Sequence, residues 1–210
     1  FSALGVYGTT VMTALVAQNT CGVHSVYDLS PDFVAAQLDA VLSDVRIDSA
    51  KIGMLSNASI IDVVCDKLQQ YPIPFVVLDT VMLAKSGDPL LQPDAIDKMF
   101  TQLLPRVDLI TPNLPEAAAL LGCDIATDET TMKQQGEALL YQGCQAVLMK
   151  GGHLSEKESP DWLLTQDGQW RFTSPRINTK NTHGTGCTLS AALAAIRPQV
   201  SDWQSCVEQA

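Results

Sequence analysis

The sequence predicts an α/β fold in which a mainly parallel central sheet is covered by helices on both faces. Strand-like and helix-like segments alternate along most of the 210 residues, an order typical of parallel sheets with helical crossovers. Several strand candidates are near-continuous apolar runs, as expected for strands buried on both faces. Hydrophobic residues make up 46% of the chain and charged residues 17%, a composition that supports one domain with a sizeable core. We therefore expect a single three-layer α/β/α domain.

Apolar and β-branched runs place the strands, and capping signals place the helices. The predicted strands are 11–16, 23–29, 50–55, 75–79, 107–111 and 146–149, followed by a hairpin over 162–175. The predicted helices are 30–44, 59–71, 93–104, one beginning near Asn113, 128–142, 189–196 and 202–207. Residues 83–89 are expected to form either a lid or an ordinary surface loop. Residues 1–8 have the pattern of a last helical turn, so we expect the sequence to begin inside an element.

The composition argues against several classes of function. The formal net charge is −10 and the 13 Lys and Arg residues are scattered, which argues against a nucleic-acid-binding face. No apolar run approaches the roughly 20 residues of a membrane span. The six cysteines form no Cys-x-x-Cys pair, so neither a zinc site nor a disulfide framework is indicated. We expect a protein of the reducing cytoplasm that meets anionic ligands with local donors.

The most informative stretch is 181–188, Asn-Thr-His-Gly-Thr-Gly-Cys-Thr, followed by an alanine-rich helix former. The first turn of a helix carries about half a positive charge and unpaired N–H groups, and glycines let an anion approach them. Cys187 lies where this field is strongest, so we expect its pKa to be lowered from about 8.5 by one to several units. The alternative is an ordinary glycine-containing cap of a buried helix.

Polar residues also follow three consecutive strand candidates, at the edge where ligands meet a parallel sheet. They are Gly53-Met54, Asp79-Thr80 and Thr111-Pro112-Asn113. Asn113 and Glu116 have the spacing of a capping box, which does not separate a structural cap from a catalytic carboxylate. Lys150 ends a buried strand, where a charge needs a partner, and a nucleotide phosphate would serve.

Gln18 follows the first strand candidate. Its amide offers a donor and an acceptor together, which suits the edge of an aminopyrimidine. A solvated turn residue is the alternative. Met54 and Val81 have the pattern of core residues.

Residues 181–187 resemble the second signature of the ribokinase-like kinases, Asp-Thr-x-Gly-Ala-Gly-Asp. The match is to the form typical of the hydroxymethylpyrimidine and hydroxymethylpyrimidine-phosphate kinases of thiamine biosynthesis. Asn181 replaces the first Asp, and Cys187 replaces the last, which is the catalytic base in ribokinase-like enzymes. Segments 16–20 and 113–116 are similar to the family's pyrimidine-binding segment and its Asn-x-x-Glu motif. The resemblance implies a ribokinase-like fold, and we expect the family's N-terminal strand, its Gly-rich segment and its C-terminal helix to lie outside the 210 residues.

The resemblance also implies an activity and a set of site residues. The activity is ATP-dependent phosphorylation of 4-amino-5-hydroxymethyl-2-methylpyrimidine and then of its monophosphate, by a cytoplasmic homodimer that binds neither nucleic acid nor membrane. Gly184, Thr185 and Gly186 would surround the transferring phosphate, and Cys187 would face the acceptor hydroxyl. The resemblance further implies pyrimidine contacts from Val16, Gln18, Met54 and Val81, nucleotide contacts from Lys150, Thr182 and Asn113, and a Mg²⁺ site with Glu116, acting through water, and Asp79.

Three other functions fit parts of the sequence. A pyridoxal- or pyridoxine-type kinase has the same scaffold and, in some branches, the same cysteine. A ligand-binding protein without turnover would use residues 181–188, which we call the anion loop, to hold a phosphorylated metabolite. A hydrolase with Cys187 as nucleophile fits worst, because only His183 lies near it in the sequence.

Overall fold

The computed structural model describes residues 1–19, 22–82, 91–152, 154, 158–175, 177 and 184–210. The strands are β1 (Ala14–Asn19), β2 (Gly22–Asp28), β3 (Ala50–Ile52), β4 (Val76–Leu78), β5 (Leu109–Ile110), β6 (Ala146–Lys150), β7 (Glu158–Thr165) and β8 (Gln169–Pro175). The helices are α1 (Pro31–Leu42), α2 (Ala58–Gln70), α3 (Pro93–Lys98), α4 (Leu114–Leu121), α5 (Glu129–Leu140), α6 (Thr185–Ile196) and α7 (Trp203–Gln209).

The main sheet has six strands in the order β3-β4-β5-β6-β7-β8. Strands β3 to β6 run parallel, whereas β7 and β8 continue the sheet as an antiparallel hairpin. The carboxyl ends of four parallel strands therefore meet at one edge, which is where binding sites form in such sheets. The predicted mainly parallel sheet and its terminal hairpin are confirmed.

Alternating side chains of the parallel strands enter two separate cores. Val76 and Leu78 belong to the larger core, which contains buried residues of α1 to α5. Val77, between them, packs instead with Leu193 of α6 and Trp203 of α7. This alternation follows from the two-residue period of a strand, and it confirms the expected helical layers on both faces.

The prediction for the first strand is wrong. Residues 11–16 do not form a strand of the parallel sheet; β1 begins at Ala14, includes Gln18, and pairs antiparallel with β2 in a separate two-stranded sheet. An apolar β-branched run is compatible with either environment, and the next segment along the chain, β2, offers an antiparallel partner. The pyrimidine-binding candidates Val16 and Gln18 therefore lie inside a hairpin, and not beyond the end of a buried strand.

The other differences are local. The helix expected over 93–104 is α-helical only in α3 and continues as a π-helix over Met99–Leu103. Residues Ser2–Leu4 form a 3₁₀ turn that ends at Gly5 in the left-handed conformation, as the glycine suggested. The possible lid over 83–89 lies outside the described residues.

Candidate active site

Helix α6 begins in the predicted anion loop. Gly184 is its N-cap, with a φ of 72°, and makes no side-chain capping bond of its own. A left-handed backbone of this kind favours glycine, and glycine brings no side chain into the path of an anion that approaches the helix terminus. Thr185, Gly186 and Cys187 occupy that turn, as predicted. Thr182, Asn181 and His183 lie outside the described residues.

Asp79 lies beneath this helix terminus, directly after β4, and is 2% exposed. The Nζ atom of Lys150 is 3.4 Å from Asp79 Oδ1, and the Nζ atom of Lys51 is 3.4 Å from Asp79 Oδ2. Burial by itself raises the pKa of Asp79, but the ammonium groups of Lys150 and Lys51 outweigh burial and hold that pKa below its usual value. Asp79 is therefore an ionised carboxylate between two cations.

Neutral groups complete the surroundings of Asp79. Ser190 of α6 donates its hydroxyl to Asp79 Oδ2 at 3.2 Å, and Thr111 donates to Oδ1 at 3.4 Å. The Cys187 thiol also hydrogen-bonds to this carboxylate. Because these donors come from α6 and from the end of β5, Asp79 ties the anion loop to the edge of the sheet.

The expected lowering of the Cys187 pKa is wrong. Burial raises the pKa of the thiol and the neighbouring Asp79 carboxylate adds to the rise, while Lys51 and Lys150 oppose it. The residue as a whole is exposed, but its sulfur faces a buried anion. Burial, the largest cause, and the like charge of the carboxylate both disfavour a thiolate at this position. Cys187 is therefore a neutral thiol in the free protein.

Lys150 stands between Asp79 and the anion loop. A Cβ atom added to Gly186 would come within 3.3 Å of Lys150 Nζ, so the ammonium group lies against the first turn of α6. The sequence indicated that this charge needs a partner, and in the free protein the partner is Asp79. An anion bound at the helix terminus would meet the same ammonium group.

Glu116 is buried in the first turn of α4 as part of a complete capping box. Its Oε2 accepts from the Asn113 N–H at 2.9 Å, while Asn113 Oδ1 accepts from the Glu116 N–H at 2.9 Å. Thr80 also donates its hydroxyl to Oε2, at 3.0 Å. Burial raises the pKa of Glu116, and Lys150 and the Asn113 N–H only partly oppose the rise. Both bonds to the carboxylate use Oε2.

Lys51, from the middle of β3, is a site residue that the sequence reasoning missed. A Cβ atom added to Gly53 would come within 2.7 Å of Lys51 Nζ, so the ammonium group extends along the strand toward its carboxyl end. A lysine in a short strand has the pattern of an exposed edge residue. The available signal was its position two residues before Gly53-Met54, a segment already assigned to the site edge.

The pyrimidine candidates are only partly brought together. Val81 is half-buried and lies two residues after Asp79. Its N–H donates to the Asp79 carbonyl at 2.8 Å. The Met54 carbonyl accepts from the Thr13 hydroxyl at 2.6 Å, which ties the base of the hairpin to the end of β3. Val16 and Gln18 lie on one face of that hairpin. Between described residues, no hydrogen bond or ion pair joins these two side chains to Asp79.

Comparisons with known proteins identify a family and several relatives. A family described as phosphomethylpyrimidine kinase matches residues 1–210. A relative, the hydroxymethylpyrimidine/phosphomethylpyrimidine kinase of Salmonella typhimurium, is 65% identical over 210 residues, which are 100% of this chain and 79% of that protein. Among solved structures, phosphomethylpyrimidine kinase from Clostridium difficile has a TM-score of 0.87 at 37% identity, covering 99% of this chain and 84% of the other.

A pyridoxal kinase is also similar in structure. The enzyme from Staphylococcus aureus, solved in complex with AMP-PCP and pyridoxal, has a TM-score of 0.88 at 28% identity, covering 98% of this chain and 74% of the other. The fold is thus shared between two kinds of vitamin kinase, whereas the match of the family over every residue and the 65% identity favour one of them. The chain belongs to the phosphomethylpyrimidine kinase family.

Proposed function

We propose that this chain is an ATP-dependent phosphotransferase of thiamine biosynthesis that acts twice on one pyrimidine. In the first step, the hydroxymethyl oxygen of 4-amino-5-hydroxymethyl-2-methylpyrimidine forms a bond to the γ-phosphorus of ATP. The bond from that phosphorus to the bridging oxygen breaks, ADP leaves with the electron pair, and the hydroxyl proton of the acceptor is released. In the second step, a phosphate oxygen of the monophosphate attacks another ATP in the same way. The family membership and the relatives' names support this reaction.

One observation carries the proposal: Lys150 Nζ lies against the first turn of α6, beside Gly186. Phosphoryl transfer requires positioning and charge neutralisation rather than covalent chemistry from the protein. A helix N-terminus presents N–H donors and a positive field to an anion, and the adjacent ammonium group supplies a full charge. We assign Gly184, Thr185 and Gly186 to the transferring phosphate. Thr182 and Asn113 remain the predicted nucleotide contacts.

The acceptor would lie on the other side of Asp79, toward β3. Met54 borders the cavity beside β3 and Val81 lies two residues after Asp79, and we assign both to the pyrimidine ring. Val16 and Gln18 share a face of the hairpin and would contact the ring from there. Cys187 would lie at the acceptor hydroxyl, in the first turn of α6.

Magnesium fits Glu116 better than Asp79. Among the described residues, no three His, Cys, Asp or Glu side chains form a group that would hold a metal by themselves. Mg²⁺ in such enzymes is bound by one or two carboxylates together with substrate phosphates and water. Burial leaves the Glu116 carboxylate without full charge compensation, whereas Asp79 already contacts two ammonium groups. A bound Mg²⁺ would neutralise charge on the phosphates.

We further propose a cytoplasmic enzyme that binds ATP and a small pyrimidine, and no nucleic acid or membrane. The described cysteines are free thiols, as a reducing compartment requires. Across the described ranges, no helix is long and apolar enough to cross a membrane.

The test is ADP release measured by a coupled assay, with the pyrimidine alcohol and pyridoxal at equal concentration. We expect faster turnover of the pyrimidine alcohol, together with a requirement for Mg²⁺. Faster turnover of pyridoxal would assign the chain to the other vitamin kinase. Binding of both alcohols without ADP release would indicate a binding protein.

A further inference from the structure

The two acceptors of the proposed reaction differ in charge. The pyrimidine alcohol is neutral, whereas its monophosphate carries about −1.5 to −2 at neutral pH, as other phosphate monoesters do. A site that takes both acceptors needs a cation that the first acceptor does not use. We propose that Lys51 is this cation and binds the phosphate of the monophosphate acceptor. The inference rests on the proposed function and concerns its second step.

Lys150 and Lys51 lie on different sides of Asp79, and we assign them different roles. Lys150 contacts Asp79 Oδ1 and lies against Gly186 in the anion loop. Lys51 contacts the other oxygen, Oδ2, and lies along the backbone at Gly53. Lys150 is therefore on the side of the transferring phosphate, and Lys51 is on the side of β3 that leads to Met54.

The cavity beside β3 supports this division. A cavity of about 660 Å³ is bordered by Lys51, Gly53, Met54 and Thr13 and also by Arg46 and Lys67, whereas Lys150 does not border it. Of the three cations that border it, Lys51 is the one paired with Asp79. Lys51 has an exposed side-chain fraction of 15%, so its ammonium group is partly shielded from water. In such a place a charge acts on a bound anion with less screening than at the surface.

The pairing with Asp79 leaves Lys51 able to bind an anion. Full charge-assisted hydrogen bonds between an ammonium group and a carboxylate are about 2.7–2.9 Å long, and the Lys51–Asp79 contact is 3.4 Å. An ammonium group has three donors. Asp79 therefore orients Lys51 without using its whole donor capacity. Because the net charge of the chain is −10, attraction for a dianionic acceptor has to come from such a local cation.

The experiment measures acceptor binding by titration calorimetry, without nucleotide, for the unsubstituted chain and for Lys51→Met. A hydrogen bond to a charged group contributes enough for an affinity change of about 10- to 100-fold when it is removed. We expect Lys51→Met to weaken binding of the pyrimidine monophosphate by that factor. The change for the alcohol should be at least about ten times smaller, since the alcohol has no charge to pair. Lys51→Arg should recover part of the monophosphate affinity.

Lys98→Met is the control. Lys98 of α3 pairs with Asp62 of α2 and has an exposed side-chain fraction of 28%, and it does not border the cavity beside β3. We expect it to leave the ratio of the two affinities unchanged. If Lys51→Met does not fold, as judged by circular dichroism, Lys51→Gln replaces it in the same titration.

The outcomes separate this inference from the proposed function. Equal losses for alcohol and monophosphate, or an unchanged monophosphate affinity, would overturn the role of Lys51, as would failure of the unsubstituted chain to bind the monophosphate. Absence of ADP release in the coupled assay would instead overturn the proposed function, whatever the binding result.

Discussion

The position of Cys187 in the first turn of α6 suggests a thiolate base, but its contacts point to a different proton path. The thiol donates to Asp79, and its pKa is raised by burial and by that carboxylate. To accept a proton from the acceptor hydroxyl, the sulfur would have to give its own proton to Asp79. Because Asp79 has a lowered pKa, this transfer is favourable only as the new bond to phosphorus forms.

The two phosphorylation steps should therefore respond differently to loss of the thiol. Cys187→Ala should slow phosphorylation of the alcohol by about 10²-fold, near the lower limit for removing a general base. The monophosphate step should slow by less than about ten-fold, because a phosphate dianion has no proton to lose. The measurement is the single-turnover rate of each step with saturating ATP.

Cys187→Ser is the control, because serine keeps a donor to Asp79 but gives up its own proton less readily than a thiol does. We expect Ser to resemble Ala in the alcohol step while preserving nucleotide affinity. Equal losses in the two steps would show that Cys187 shapes the anion site and carries no proton.

For single residues, the sequence predicted which residues belong to the candidate site better than it predicted their contacts. Asp79, Lys150 and Cys187 were each assigned to the site from strand ends and from the anion loop. Their mutual pairing was not predicted, because it joins residues 71 positions apart for Lys150 and Asp79, and single-sequence patterns describe only near neighbours. Lys51 was missed for the same reason, since nothing adjacent in the sequence indicates its partner.

Among the elements, α4 shows that the residues that cap a helix can also belong to a candidate site. In α4 these residues are Asn113 and Glu116. Asn113 Oδ1 caps the helix, and the backbone N–H of Asn113 holds Glu116 Oε2. The same segment forms a bridge to Lys150 at the end of β6. The capping box therefore fixes where the buried carboxylate stands relative to the ammonium group.

This sharing leads to a prediction for Asn113→Ala. The substitution should lower the free energy of unfolding by about 1 kcal/mol, as for other N-caps. It should also raise the KM for ATP, because losing the bond from the Glu116 N–H to Asn113 Oδ1 loosens the first turn of α4, which positions the Glu116 carboxylate. Urea denaturation and steady-state kinetics at varied ATP measure the two effects.

Asp128→Ala supplies the comparison, because Asp128 caps α5 through a 2.7 Å bond from the Thr131 N–H. It should cost similar stability with no change in KM. A rise in KM for Asp128→Ala as large as that for Asn113→Ala would mean that stability alone causes the effect.

The elements also show where sequence reasoning about secondary structure stops. Buried strands and capped helices were located correctly because periodicity and capping residues are local signals. The sheet to which β1 belongs is not a local property. The residues of β1 are half-buried or exposed. What distinguishes β1 from the strands of the parallel sheet is its antiparallel pairing with β2.

For the molecule as a whole, the hairpin of β1 and β2 stands apart, because it contributes no buried residue to either core. Two-stranded hairpins are marginally stable by themselves. Leu15 and Tyr27 lie opposite each other in register on one face, 48% and 66% exposed, respectively. The face with Val16 and Gln18 is the one we assign to the pyrimidine, so the Leu15–Tyr27 face is available for another protein surface. Exposed apolar groups of this kind mark interaction sites.

We therefore expect a homodimer that buries the Leu15–Tyr27 face, as the family resemblance implied. Replacing both residues by Glu would place like charges at the contact and should give a monomer in sedimentation velocity at micromolar concentration. Tyr141→Glu, at an 89% exposed position in the turn after α5, should remain dimeric. A monomeric unsubstituted chain would contradict the prediction, and so would a double variant that sediments as a dimer. Because Asp79, Lys51 and Lys150 lie outside the hairpin, the monomer should still bind ATP, which separates loss of assembly from loss of the fold.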